Sequence, residues 1–193
     1  GYIPNILRNH EPVEETDYLT FARARETCSF IEKNKQQPFF IYAAFNAPHT
    51  PLEAPRETIE RFRHLGVIES PFPHKGVRFR RQIYAAMVSA LDDAVGQILD
   101  QLKTSGVYEN TLVYFMSDNG AVELYGGSNG RLRGDKGDLY EGGIKVPFML
   151  QWPAQLDGGQ VFDAPVSSLD LLPTSVAAGG GDPADVKAGL DGR

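Results

Sequence analysis

Two unbroken apolar runs, Phe39-Phe-Ile-Tyr-Ala-Ala-Phe45 and Thr111-Leu-Val-Tyr-Phe-Met116, do most to limit how this chain can fold. The first is continuous, the sequence habit of a parallel strand covered on both faces, and the second, rich in β-branched and aromatic residues, reads as a buried strand. Between them Phe79, Ile83, Met87, Ala90, Leu91, Ala94, Ile98 and Leu102 recur at helical spacing, marking one long amphipathic helix that stops near Gly106. Strand, helix, strand in that order is a crossover unit, expected to be right-handed. A first helix is read over residues 18–34, with Leu19, Ala22, Ala24, Cys28 and Ile31 on one rough face and Gln36-Gln-Pro38 ending it. Residues 147–152 form a third strand, and residues 163–176 a turn into a short helix. The tail, 177–193, is linker-like. The fold class is α/β.

With 193 residues the chain is sized for one domain. Its net charge of −6 argues against nucleic-acid binding, which leaves a basic footprint. The one local basic run, Lys75, Arg78, Arg80 and Arg81, reads as a solvated helix start. Cys28 is the only cysteine, so neither an intrachain disulfide nor a cysteine-based zinc site is available. No apolar run reaches the length of a membrane span, and residues 1–17 lack the apolar stretch of a signal peptide. The chain opens on Gly-Tyr-Ile-Pro without a Met, and is read as a processed product or an internal piece of something longer.

Chemistry concentrates where the strands end. The Thr111 run stops in Ser117-Asp118-Asn119-Gly120, which sets a carboxylate beside a carboxamide where open α/β sheets bind their ligands. Both side chains offer the hard oxygens that Ca²⁺ or Mg²⁺ takes, although Asp-Asn-Gly is equally good turn chemistry. The Phe39 run ends in Asn46-Ala-Pro-His-Thr-Pro51, so His49 also follows a strand. Residues 126–143 hold seven glycines in eighteen positions and carry Lys136. They match neither the Walker nor the dinucleotide spacing. His49, Asp118, Asn119 and Lys136 would suit a tetrahedral oxyanion: a cation held by oxygens on one side, an ammonium on another, an imidazole as acid or base. Taken singly, the histidine is an ordinary loop residue and the lysine a solvated one.

Asn46-Ala-Pro-His-Thr-Pro-Leu52, Ser117-Asp-Asn-Gly120, Gly127-Ser-Asn-Gly130 and Leu132-Arg-Gly-Asp-Lys-Gly-Asp-Leu-Tyr-Glu-Gly-Gly143 together resemble the type I sulfatases. Val146-Pro-Phe148, Trp152-Pro153 and Asp170-Leu-Leu-Pro-Thr174 extend the likeness over most of residues 18–193, in the family's order. The wording is similar to bacterial arylsulfatases and carbohydrate sulfatases of the arylsulfatase A and N-acetylgalactosamine-sulfatase type. The resemblance implies an alkaline-phosphatase-like α/β/α sandwich with a mostly parallel central sheet, incomplete at the amino terminus. It implies hydrolysis of aryl or carbohydrate sulfate monoesters by a usually exported enzyme, with a sulfated small molecule or glycan as partner. Asp118 and Asn119 would be Ca²⁺ ligands, His49 would contact the scissile ester and protonate the leaving oxygen, and Lys136 would hold a sulfate oxygen. The family's nucleophile is a hydrated formylglycine made from a Cys/Ser-x-Pro/Ala-x-Arg signature.

That signature is absent here. Cys28 sits in Thr-Cys-Ser-Phe-Ile-Glu32, with Phe30 and Glu32 where Pro/Ala and Arg belong, and reads as a small buried helix residue. Ser70 and Ser167 fail the pattern too, and the family's early Asp-Asp metal pair is missing; Asp92 and Asp93, adjacent on a helix, point about 100° apart and cannot readily share a metal. Residues 1–193 are therefore expected to be a partial catalytic domain, holding half the calcium site and no formylglycine segment, and to be inactive alone. The alternatives are a phosphoesterase or phosphonate hydrolase of the alkaline phosphatase superfamily, and a non-catalytic anion-binding module. Which ester is cleaved, and the oligomeric state, stay unspecified by the sequence.

Overall fold

A computed structural model describes residues 6–65, 80–186 and 190–191. It begins with a hairpin that the sequence reading did not anticipate: β1 (Ile6–Arg8) pairs antiparallel with β2 (Glu11–Val13). The joining residues, Asn9 and His10, both take positive φ, 51° and 75°, the twist a two-residue hairpin turn needs. Asn-His lacks the glycine that normally announces such a turn.

The core lies between two helices. Helix α1 (Leu19–Asn34) and helix α3 (Arg80–Thr104) pack together, burying Ala22, Ala24 and Ile31 from the first and Ala86, Met87, Ala90, Ala94 and Leu102 from the second. A seam built mainly of alanine lets two helix backbones approach closely. Cys28 Sγ lies 3.6 Å from the Gln97 carbonyl oxygen, and Glu32 accepts from Gln101 at 3.1 Å and from Ser105 at 3.2 Å. The partners advance together along both helices, so α1 and α3 run in the same direction. Helix α2 (Arg56–Arg61) lies against α3, where Gln82 donates to the Ile59 carbonyl at 2.9 Å and Arg61 reaches Ser89 at 3.1 Å and Asp93 at 3.6 Å. Asp92 remains exposed.

Residues 39–45 run back along α1. The Phe39 ring meets Phe30 edge-on at 6.5 Å, and Arg23 donates to the Ala44 carbonyl. Among the described residues this segment joins no ladder, and Phe40 and Tyr42 stand 79% and 85% exposed. A run apolar on both faces has here only one face covered. The other two expected strands do form, as β3 (Val113–Met116) and β4 (Phe148–Gln151), but antiparallel, with Val113 opposite Gln151 and Met116 opposite Phe148. The described residues thus hold two antiparallel pairs, and the expected mostly parallel sheet is not among them. The mixture of helix and strand expected of an α/β chain is present.

Helix α4 (Glu141–Ile144) precedes β4, and α5 (Leu171–Ala178) follows a 3₁₀ turn at Ser168–Asp170. A reciprocal cap sets that turn: Ser167 Oγ accepts from the Leu169 amide at 3.3 Å, and Asp170 accepts from the Ser167 amide at 2.8 Å. The tail read as linker-like keeps some order, with α5 reaching Ala178 and a second 3₁₀ turn at Pro183–Asp185. Of the 52–77 excursion, α2 and the 3₁₀ turn Arg63–Leu65 are described; residues 66–79, which include Ser70, Lys75, Arg78 and Phe79, lie outside the described residues. No helix among the described residues is long and apolar enough to cross a membrane.

Two predictions concern this core. Ile31 is 1% exposed, so Ile31→Ala should cost about 2–5 kcal/mol by lost burial plus cavity, read as a lowered denaturant midpoint at unchanged slope. The Glu32 carboxyl is held below its ordinary range, chiefly by the Lys35 hydrogen bond at 2.6 Å, with Ser105 and Gln101 adding to it. A depressed carboxyl stabilises the fold above its unfolded pKa and loses that contribution as pH falls through the folded value. Glu32→Gln should therefore flatten the acid limb of a stability–pH curve and leave its neutral shape alone; an unchanged acid limb would rule the linkage out.

Candidate functional site

The polar end of β3 is built into a unit of three backbone stretches. The Gly120 amide donates to the Gly143 carbonyl at 2.9 Å, the Gly142 amide to Arg133 at 2.7 Å, and the Lys136 amide to Ala121 at 3.3 Å. Such contacts need bare α-carbons. A Cβ on Gly120 would fall 1.7 Å from the Gly142 oxygen, one on Gly142 2.1 Å from the Gly134 oxygen, and one on Gly143 2.2 Å from the Asp138 oxygen. Asn129 stitches the stretches together: its Oδ1 accepts from the Ala121 amide at 2.8 Å, and its Nδ2 donates to the Ala121 and Gly134 carbonyls at 3.0 and 3.2 Å. It thereby pairs with Ala121 as a neighbouring peptide would.

This unit carries three of the four candidate residues, with their functional atoms uncommitted among the described residues. Asp118 is exposed, and its carboxylate has no partner among the described residues. Asn119 turns its Nδ2 inward to the Gly120 carbonyl at 3.2 Å, which leaves Oδ1 free. Ser117 secures the turn by donating to the Asn119 carbonyl at 2.8 Å. Lys136 is exposed, and among the described residues its ammonium meets no carboxylate although acidic residues flank it. Both flanking aspartates turn to backbone amides instead. Asp135 accepts from the Lys136 and Glu123 amides at 2.9 and 3.2 Å, and Asp138 accepts from the Asp135 amide at 2.9 Å. Lys35, Lys103 and Lys145, by contrast, each pair with a carboxylate one helical turn away.

His49 occupies a separate tight loop. Its amide donates to the Asn46 carbonyl at 2.7 Å, and its Nδ1 lies 2.8 Å from the Thr50 carbonyl oxygen. A carbonyl only accepts, so Nδ1 carries the proton and Nε2 is left as the exposed, reactive nitrogen. Among the described residues no hydrogen bond ties this loop to the Asp118–Lys136 unit.

As a cation site the unit offers the right chemistry in part. The Asp118 carboxylate and Asn119 Oδ1 are hard, unpaired oxygens of the kind Ca²⁺ takes, but a full calcium shell needs six to eight. Among the described residues no group of three or more His, Cys, Asp or Glu side chains is placed to hold a metal. Cys28 adds nothing: it is half-buried on α1 against α3, and burial pushes its thiol pKa up, away from the reactive thiolate. Two further residues matter to the unit. Asn129 could have been suspected from its place in Gly-Gly-Ser-Asn-Gly, where an amide among glycines often substitutes for backbone. Arg133 is exposed and lies with its guanidinium 3.7 Å from the centre of the Tyr140 ring. Asn129→Ala should cost about 1–3 kcal/mol, since it leaves backbone groups of Ala121 and Gly134 unpaired. It should also raise amide exchange at Gly120, Lys136 and Gly142 more than in α1; uniform exchange throughout would show that Asn129 does not hold the unit together.

The sulfatase family model matches residues 3–181 of the chain. Human steryl-sulfatase is 33% identical over 97% of this chain and 31% of its own length. An uncharacterised sulfatase of Escherichia coli strain K12, YdeN, is 34% identical over 98% of this chain and 32% of its own. Among solved structures, Ps i-CgsB superposes with a TM-score of 0.87 at 40% identity, covering 99% of this chain and 40% of that one. Its complex with k-i-k-neocarrahexaose gives 0.83 at 41% identity, over 95% of this chain and 39% of the other. The chain therefore spans about a third of the length of the curated relatives it matches. On the match across residues 3–181, this chain belongs to the sulfatase family.

Proposed function

We propose that these residues form one wall of the active site of an enzyme that hydrolyses sulfate monoesters. One observation carries the reading: Asp118, Asn119 and Lys136 are displayed from a single glycine-packed unit with their oxygens and ammonium unspent. The acids beside the lysine turn to amides of their own loop, and Lys136 stays exposed. Lys136 Nζ donates to a non-bridging sulfate oxygen and opposes the charge that grows there as the ester bond lengthens. His49, with Nδ1 held by the Thr50 carbonyl, presents Nε2–H to the departing oxygen as general acid and must enter that step as imidazolium.

Asp118 and Asn119 Oδ1 would be two of the oxygens around a calcium ion. When bound, that cation supplies Lewis-acid polarisation of the sulfate, and a formylglycine supplies the nucleophile. No residue described here fills the latter role. The substrate class is a sulfated glycan or aryl sulfate; the k-i-k-neocarrahexaose named for the Ps i-CgsB complex favours a glycan. A parallel sheet is part of the same reading. Helices α1 and α3 run the same way, and residues 39–45 return along α1; β3, following α3, would point in the same direction as a crossover requires.

The proposal has direct consequences. In the whole enzyme, Lys136→Ala should lower kcat on an aryl sulfate about 100- to 1,000-fold, the usual effect of removing one donor to a developing oxyanion. A rise in KM alone would mean that Lys136 contributes binding and no transition-state stabilisation. The 193 residues by themselves should bind Ca²⁺ weakly through Asp118, with Asp118→Ala abolishing the heat signal, and should not turn over an aryl sulfate. Measurable hydrolysis by that chain alone would sink the assignment of the nucleophile elsewhere.

A further inference from the structure

Beside Lys136 the same loop carries a second cation prepared in a different way. The Arg133 guanidinium lies 3.7 Å from the centroid of the Tyr140 ring, while its own carbonyl is fixed by the Gly142 amide at 2.7 Å. Gly134, at φ +92°, turns the chain between the arginine and Lys136, and a Cβ there would come 2.9 Å from Tyr140 Cβ. The ring and the guanidinium are therefore clamped over one tight turn. No carboxylate among the described residues pairs with Arg133. Asp135 and Asp138 are taken by backbone amides, and Glu141 meets Lys145 at 3.5 Å. A guanidinium seated on an aromatic face keeps its in-plane N–H edges outward, oriented at little entropic cost for a bidentate partner. Both Arg133 and Tyr140 are exposed, and three trans peptides hold the Arg133 and Lys136 α-carbons within about 11 Å of each other.

We propose that Arg133, oriented by Tyr140, is a specificity residue that binds a second anionic group of the substrate, on a sugar next to the one whose sulfate Lys136 holds. The inference rests on the sulfate-ester reading above and deepens it, because it selects substrates bearing two neighbouring oxyanions over simple monosulfates. The second group is an oxyanion that accepts two parallel N–H bonds, either another sulfate ester or a uronate carboxylate.

The test uses the whole enzyme with oligosaccharides alike at the cleaved sulfate. One carries a second sulfate on the adjacent sugar, one a carboxylate there, and one neither; an aryl sulfate serves as the singly charged reference. Arg133→Ala should reduce kcat/KM on a doubly anionic substrate about 10- to 100-fold more than on the aryl sulfate, mostly through KM, in keeping with two charge-assisted hydrogen bonds. Arg133→Lys keeps a cation over the ring, and so the fold, but lacks the planar fork; it should fail to restore the preference. Whichever doubly anionic substrate loses its advantage identifies the group read. Equal losses on every substrate, or full rescue by lysine, would overturn the role of Arg133 while leaving the sulfatase reading intact. No hydrolysis of any sulfate by the unsubstituted enzyme would overturn both.

Discussion

Everything at the site depends on backbone meeting backbone with no side chain between. Gly120, Gly142 and Gly143 each face a carbonyl oxygen across a gap that any Cβ would fill. That contact joins the end of β3 to a loop more than a dozen residues further along the chain. Because the joint is made by main-chain groups, its side chains remain available for chemistry. Asn129 completes it as a surrogate peptide, and the loop's acids cap its amides.

The charge arrangement follows from that joint. A loop with Asp135, Asp138 and Glu141 around Lys136 would ordinarily neutralise its own lysine, and a paired lysine is a poor oxyanion ligand. Committing the acids to amide donors and to Lys145 separates the two signs. It leaves an exposed ammonium, a stacked guanidinium and a carboxylate without a partner among the described residues on one unit. A compact anion with a divalent counter-ion is the ligand that such a set accommodates best.

Much of this could be read from the sequence, and what could not has physical causes. The Leu19–Asn34 and Arg80–Thr104 helices follow from apolar spacing, because a helix buries one stripe and the period records it. Strand existence at Val113 and Phe148 was legible as well, but strand direction was not: composition reports that both faces are buried, and says nothing of which neighbour supplies the hydrogen bonds. Phe39–Phe45 shows the same limit, since its apolar residues prepare a strand whose ladder the described residues do not contain. Asp118, Asn119 and Lys136 were visible as residue types at strand and loop ends, while their availability was not, because it depends on local bonds such as that of Asn119 Nδ2 to Gly120 and those of Asp135 and Asp138 to loop amides. The stacking of Arg133 could not be read either: its partner lies seven residues on, across a turn that only Gly134 permits.

The most direct test of the assignment is a crystal structure of the whole enzyme with calcium and a bound sulfate or sulfated product. The expected result places an Asp118 carboxylate oxygen and Asn119 Oδ1 about 2.3–2.6 Å from the cation. It also places Lys136 Nζ on a sulfate oxygen at about 2.7–2.9 Å. A cation coordinated elsewhere, or a sulfate held beyond reach of Lys136, would contradict it.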